Sequence, residues 1–145
     1  MLFFIAKYEF CPIDLETRKV RKISTVNYPE DMDVRDPIFN EEYPKLTQEF
    51  NEESKVYSQK ISLSDIDFSC HTNNTVYIRY LMDCFSSDFM ENHIITDFEI
   101  HYLTESREGD ILNFYKIENN DNTIDFLIKN DKEISRAKLR YLRIK

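Results

Sequence analysis

Hydrophobic and polar positions change period several times along this chain, and each change marks an element. Residues 1–10 alternate loosely between apolar and polar and are rich in aromatics, which predicts an opening strand that Cys11-Pro12 breaks. Leu15 to Ile23 carries Arg18, Lys19, Arg21 and Lys22 and reads as a basic connector. From Val26 to Ser54 the periodicity fades, and Pro29, Pro37 and Pro44 punctuate an acidic linker with one short helix expected after Pro44. All four prolines precede residue 45, so a boundary lies near there.

The remainder has a firmer pattern. Lys55 to Leu63 predicts a strand, and Ser64 to Asn73 a polar loop. From Thr75 to Phe85 the polar positions Thr75, Arg79 and Asp83 form one stripe at i, i+4 and i+8 among apolar neighbours. A helix apolar on all but one narrow face is buried on several sides, as a central helix wrapped by a curved sheet would be. Strands follow at His93 to Glu105, Ile111 to Glu118, Thr123 to Lys129 and Glu133 to Lys145. Polar turns separate them, the first containing the chain's only glycine, Gly109. Ile124, Phe126 and Ile128 share one face of their strand. Strand, helix and four strands make an α+β domain over residues 55–145, preceded by residues 1–54 as strand, connector and linker.

Composition narrows the function. With 14% aromatic residues in 145, the chain can build a real core. The net charge of −8 argues against general nucleic-acid binding, and Glu30 to Glu53, with nine acids and two bases, carries −7 of it (2 − 9). No apolar run approaches the roughly 18–20 residues of a membrane span, and Met1 to Ala6 is too short and wrongly flanked for a signal peptide. Cys11, Cys70 and Cys84 show no Cys-x-x-Cys spacing, so neither a disulfide framework nor a zinc site is expected, and a reducing cytoplasm fits.

Candidate chemistry concentrates between Ser64 and Tyr80. Asp67, Ser69 and His71 are spaced by two, so in an extended segment they would point to one side. Asn73 and Asn74 are suited to cap the following helix. A helix N-terminus carries unpaired N–H groups and partial positive charge, which suits an oxygen that becomes negative during acyl transfer or hydrolysis. Asp65 and Asp67 could equally be turn carboxylates ahead of a helix, where negative charge is favoured anyway. Cys70 adjoins His71, but neighbours in an extended stretch face opposite ways, which is poor geometry for a cysteine nucleophile. No Gly-x-Ser-x-Gly elbow or phosphate-binding glycine loop is present.

The run Asp65-x-Asp67-x-x-x-His71-x-Asn73-Asn74-x-x-Tyr77 resembles the signature of hot dog fold thioesterases, specifically the C-terminal half of the acyl-acyl-carrier-protein thioesterases. Ile13 to Lys19 resembles that family's inter-domain connector, and Glu99 to Glu105 its strand ending in a functional glutamate. The resemblance implies a hot dog fold, an antiparallel sheet around one central helix. It implies hydrolysis of a fatty acyl thioester on acyl carrier protein, without cofactor or metal. Asp67 would be base or nucleophile, with His71 and Glu105 assisting. Asn73, Asn74, Thr75 and Tyr77 would form the substrate side, the helix's first N–H groups receiving the oxyanion. The family pattern has asparagine where this chain has Ser69, a departure expected to weaken or silence the site, and cysteine in some members where it has Ser106. Met1 would fall inside the family pattern, leaving out the first hot dog domain.

Two other readings stand beside this one. The chain could be a non-catalytic hot dog module from a split or shortened gene, or a homodimeric acyl-coenzyme A thioesterase. Each predicts pairing with a second hot dog domain. His93 and His101 are expected to be strand residues without a role. Arg136, Lys138, Arg140, Arg143 and Lys145 could steer an acidic carrier protein, or could be a solvated or edge-protecting strand.

Overall fold

The computed structural model describes residues 5–14, 16–17, 19–26 and 42–145. The chain divides into two compact units, Met1–Pro44 and Lys45–Lys145. In the first, residues 5–10 form no strand, contrary to their alternating pattern, and residues 1–4 of that pattern lie outside the described residues. Its described structure is a single bridge between Ile13 and Val20, closed by Asp14, which accepts from the Thr17 N–H, and a 3-10 turn at Ile23–Thr25. Most of the acidic linker also lies outside the described residues.

The second unit is one antiparallel sheet and two short helices: β1 Lys55–Lys60, α1 Asn74–Met82, α2 Ser87–Asn92, β2 His93–Tyr102, β3 Ile111–Glu118, β4 Thr123–Lys129 and β5 Glu133–Arg143. The sheet order is β1-β3-β4-β5-β2. The last four strands form a meander, β3 to β4 to β5, with β2 added beyond β5. This is the α+β hot dog architecture. No helix appears directly after Pro44; residues 45–50 are irregular and a 3-10 turn at Glu52–Ser54 leads into β1. Residues 87–92, without periodic signal, form α2, capped by Ser86, whose Oγ accepts from the Phe89 N–H.

The core sits between α1 and one face of the sheet. Val76, Tyr77, Tyr80 and Leu81 of α1 meet Leu112 and Phe114 of β3, Ile124, Phe126 and Ile128 of β4, and Ala137 and Leu139 of β5. Thr75, Arg79 and Asp83 stay exposed, which leaves the polar stripe in water. Each large apolar side chain buried there contributes about 1.5–3 kcal/mol.

The opposite face of β4 is buried too, which the alternation does not reveal. Residues 45–54 pass over it: Phe50 meets Tyr115 edge-on, the Tyr115 hydroxyl donates to Glu52, and Arg136 donates to the carbonyls of Leu46 and Gln48. On this face β5 is an interior strand rather than an edge, and its bases oppose acids. Lys138 lies 3.9 Å from Asp125 and pairs in register with Glu99, Arg140 lies 4.0 Å from Asp97, and Arg136 binds Glu133 at 2.6 Å. Three bases thus stand among four acids, and the strand lies between β4 and β2, so it protects no edge.

Candidate active site

The polar loop between β1 and α1 is a tight turn, not an extended run. The Cys70 N–H donates to the Asp67 carbonyl, the Asp67 N–H donates to the His71 carbonyl, and Ile66 bridges Thr72. Cys70 takes φ +62°, the left-handed region that few residues without a short polar side chain adopt. Asp67 and His71 therefore flank the neck of the turn, while Phe68 and Ser69 lie toward its tip, with Phe68 99% exposed. Spacing by two does not bring Ser69 into line with them. Instead its N–H donates to Asp67 Oδ1 at 2.8 Å, leaving Oδ2 without a partner among the described residues.

Asp65 and Asp67 take different roles. Asp65 is 2% exposed and accepts from the Tyr80 hydroxyl (2.8 Å), the Ser62 N–H (2.9 Å) and Arg79 (2.6 Å), while its carbonyl accepts from the Asn73 N–H. Burial alone would raise its pKa, but the Ser62 N–H, the Tyr80 hydroxyl and the Arg79 guanidinium outweigh it and hold the carboxyl below its ordinary 3.8. Asp65 fixes both feet of the turn to α1, whereas Asp67 stands at its partly exposed neck.

The strand-end segment after β2 is anchored separately. Ser106 is fully buried; its carbonyl accepts from the Thr72 N–H (2.9 Å), and its Oγ lies 2.7 Å from Thr72 Oγ1 and 2.8 Å from the Tyr77 hydroxyl. This three-hydroxyl group pins residues 105–107 beside the turn, and it places Glu105 Oε2 3.0 Å from His71 Nε2. Two residues 34 positions apart in sequence thus meet. Arg107, which sequence reasoning missed, brings its guanidinium 3.5 Å from the same nitrogen. Its one signal in the sequence is its place two residues beyond Glu105.

Of the residues expected on the substrate side, Asn73 is the N-cap, its Oδ1 accepting from the Thr75 N–H (2.9 Å) and hydroxyl (2.8 Å). The Val76 N–H donates to the Asn73 carbonyl, and the Asn73 N–H is taken by Asp65. Among the helix's first amides this leaves the Asn74 N–H without an acceptor among the described residues. Tyr77 is 2% exposed, and its hydroxyl belongs to the Ser106 group rather than to an open surface.

The other reactive side chains lie apart from this cluster. Burial pushes the Cys84 thiol up to about 12. His93 stacks on Phe89 with Nδ1 2.9 Å from the Phe89 carbonyl, and His101 pairs with Glu99 at 2.6 Å. Among the described residues no group of three or more His, Cys, Asp or Glu could hold a metal ion, and no helix is long and apolar enough to cross a membrane.

Comparison with known proteins bears on the fold and the family. The crystal structure of an acyl-ACP thioesterase from Bacteroides thetaiotaomicron is 24% identical and superposes with a TM-score of 0.66 over 90% of this chain and 53% of that one. The 12:0-ACP thioesterase from Umbellularia californica is 19% identical, with a TM-score of 0.74 over 91% of this chain and 53% of that one. A 1,4-dihydroxy-2-naphthoyl-CoA thioesterase from Synechocystis, 13% identical, gives 0.52 over 61% of this chain and 80% of that one. At these identities the likeness establishes the fold, and the chain spans about half the length of the first two. No curated protein matches in sequence. The family model for the acyl-ACP thioesterase C-terminal domain matches residues 47–142, which takes in the whole sheet except the last residue of β5 and both helices, and this chain belongs to that family.

Proposed function

We propose that this chain is a thioester hydrolase that releases a fatty acid from acyl-acyl carrier protein. The observation that carries this reading is the 3.0 Å contact between His71 and Glu105 beside the neck of the turn that holds Asp67. A thioester carbonyl placed over the start of α1 would direct its oxygen at the Asn74 N–H, where the helix dipole also favours negative charge. Asp67, through its unengaged Oδ2, takes a proton from water as the water oxygen bonds to the carbonyl carbon. When the tetrahedral intermediate collapses, the C–S bond breaks and the proton passes to the departing thiolate. His71, held by Glu105, keeps the water in line. A second hot dog domain is expected to close the acyl pocket.

A second reading, a non-catalytic module, is favoured by one observation: Ser69 gives the site only its backbone N–H, already spent on Asp67. The test is hydrolysis of palmitoyl-acyl carrier protein and palmitoyl-coenzyme A by the purified chain, with Asp67→Ala alongside. Turnover that falls about 10²–10⁴-fold in the mutant is expected of a general base. A folded wild type without turnover on either substrate selects the module, and a preference for the coenzyme A ester selects the acyl-coenzyme A reading.

A further inference from the structure

Nε2 of His71 lies 3.0 Å from Glu105 Oε2 and 3.5 Å from a terminal guanidinium nitrogen of Arg107. In a neutral imidazole these contacts cannot both be hydrogen bonds. A carboxylate only accepts and needs a proton on Nε2, while a guanidinium only donates and needs Nε2 bare. The other ring nitrogen, Nδ1, always takes the opposite state. No group among the described residues is hydrogen-bonded to Nδ1, so it is the nitrogen left for water or substrate.

The backbone makes this rivalry a built feature. Ser106 points inward, fully buried against Thr72 and Tyr77. The residues on either side of it, Glu105 and Arg107, both reach His71 Nε2. The Arg107 N–H is tied to Asp110 Oδ2 at 2.9 Å, which holds its side chain's base near the ring.

We infer that Glu105 and Arg107 together select the tautomer of His71. Glu105, at the shorter distance, holds the proton on Nε2 and leaves Nδ1 as an acceptor. Arg107 is a positioning residue that takes Nε2 as its own acceptor when Glu105 is lost or turns away, which moves the proton to Nδ1. The catalytic consequence, though not the selection itself, rests on the thioesterase reading: a bare Nδ1 holds the attacking water, and a protonated one polarises the carbonyl instead.

Ring 15N NMR of the full chain, at a pH where its own titration shows His71 neutral, distinguishes a protonated from a bare nitrogen. The wild type is expected to carry the proton on Nε2 and Glu105→Ala on Nδ1. Adding Arg107→Ala to Glu105→Ala should return the proton toward Nε2, whereas adding Arg107→Lys, which still donates, should keep it on Nδ1. In hydrolysis, Glu105→Ala/Arg107→Ala should exceed Glu105→Ala by roughly tenfold. Persistence of the Nε2 proton in Glu105→Ala, or no response to Arg107→Ala in that background, overturns the inference. A wild type without turnover whose tautomers still shift as described would sink the hydrolase reading and leave the selector standing.

Discussion

Replacing Asp65 tests whether the turn is fastened as the contacts imply. Its Oδ2 accepts from the Ser62 N–H and the Tyr80 hydroxyl, and its Oδ1 from Arg79. In Asp65→Asn one amide oxygen can replace Oδ2, so the two buried donors stay paired but lose the charge on their acceptor. That costs about 1 kcal/mol per bond, or about 2 in all. The Arg79 side chain is 58% exposed and can turn to water, so it adds little. Asp65→Ala removes the acceptor altogether and strands both donors, at about 3–5 kcal/mol. For a compact unit of about 100 residues, each kcal/mol shifts Tm by roughly 4–8 °C, so Asn should lower it by about 8–16 °C and Ala by more. The carboxyl titrates below its ordinary 3.8 when folded, so its contribution is complete above that value and is lost as the pH falls through the folded pKa. Urea midpoints of wild type and Asp65→Asn should keep a constant gap from about pH 8 to 5 and converge in more acid solution. A gap under about 0.5 kcal/mol at neutral pH, or one that widens on acidification, would refute this account.

Three further outcomes are expected. Ser69→Asn supplies an amide where the family pattern has one and should raise hydrolysis by up to about 10²-fold; no gain would place the limitation outside the turn. Alkylation of the native chain at pH 8 should modify exposed Cys11 and Cys70 and spare Cys84, whose thiol burial pushes up to about 12, until urea is added; equal labelling of all three would contradict that burial. Ser106→Ala should cost about 1–2 kcal/mol in urea denaturation and lower turnover as well, because the Tyr77 and Thr72 hydroxyls lose their shared partner; unchanged turnover would show that Glu105 is placed without it.

What could be read from the sequence follows what local pattern encodes. The stripe Thr75, Arg79 and Asp83 correctly announced a helix with one wet side, and the limits of β3 and β4 fell where their turn residues put them. Residues 5–10 carry a strand-like alternation but form no strand among the described residues, because alternation does not supply a partner strand. Leu127 is buried where residues 45–54 meet its register neighbours Tyr115 and Arg136, a tertiary fact. The same holds for β5, whose bases read as a charged face until register brings Asp97, Glu99 and Asp125 beside them. In the site, spacing suggested Asp67, Ser69 and His71 in a row. The left-handed backbone at Cys70, where no glycine or asparagine signals it, folds that row into a turn whose neck pairs the Asp67 and His71 backbones.

Besides Tyr77 and Tyr80 of α1, the supports of this site hang largely from the two opposite edges of the sheet. Ser62 and Asp65 follow β1, and Glu105, Ser106 and Arg107 follow β2, while β1 and β2 are the two outermost strands of the order β1-β3-β4-β5-β2. Outer strands open by local fluctuation far more cheaply than the interior, so the constellation can come apart while β3, β4 and β5 remain intact. Heat or mild denaturant should therefore silence such a site before the bulk of the protein melts. Amide exchange would register the same hierarchy, with the 61–73 and 103–110 segments losing protection early and β4 last.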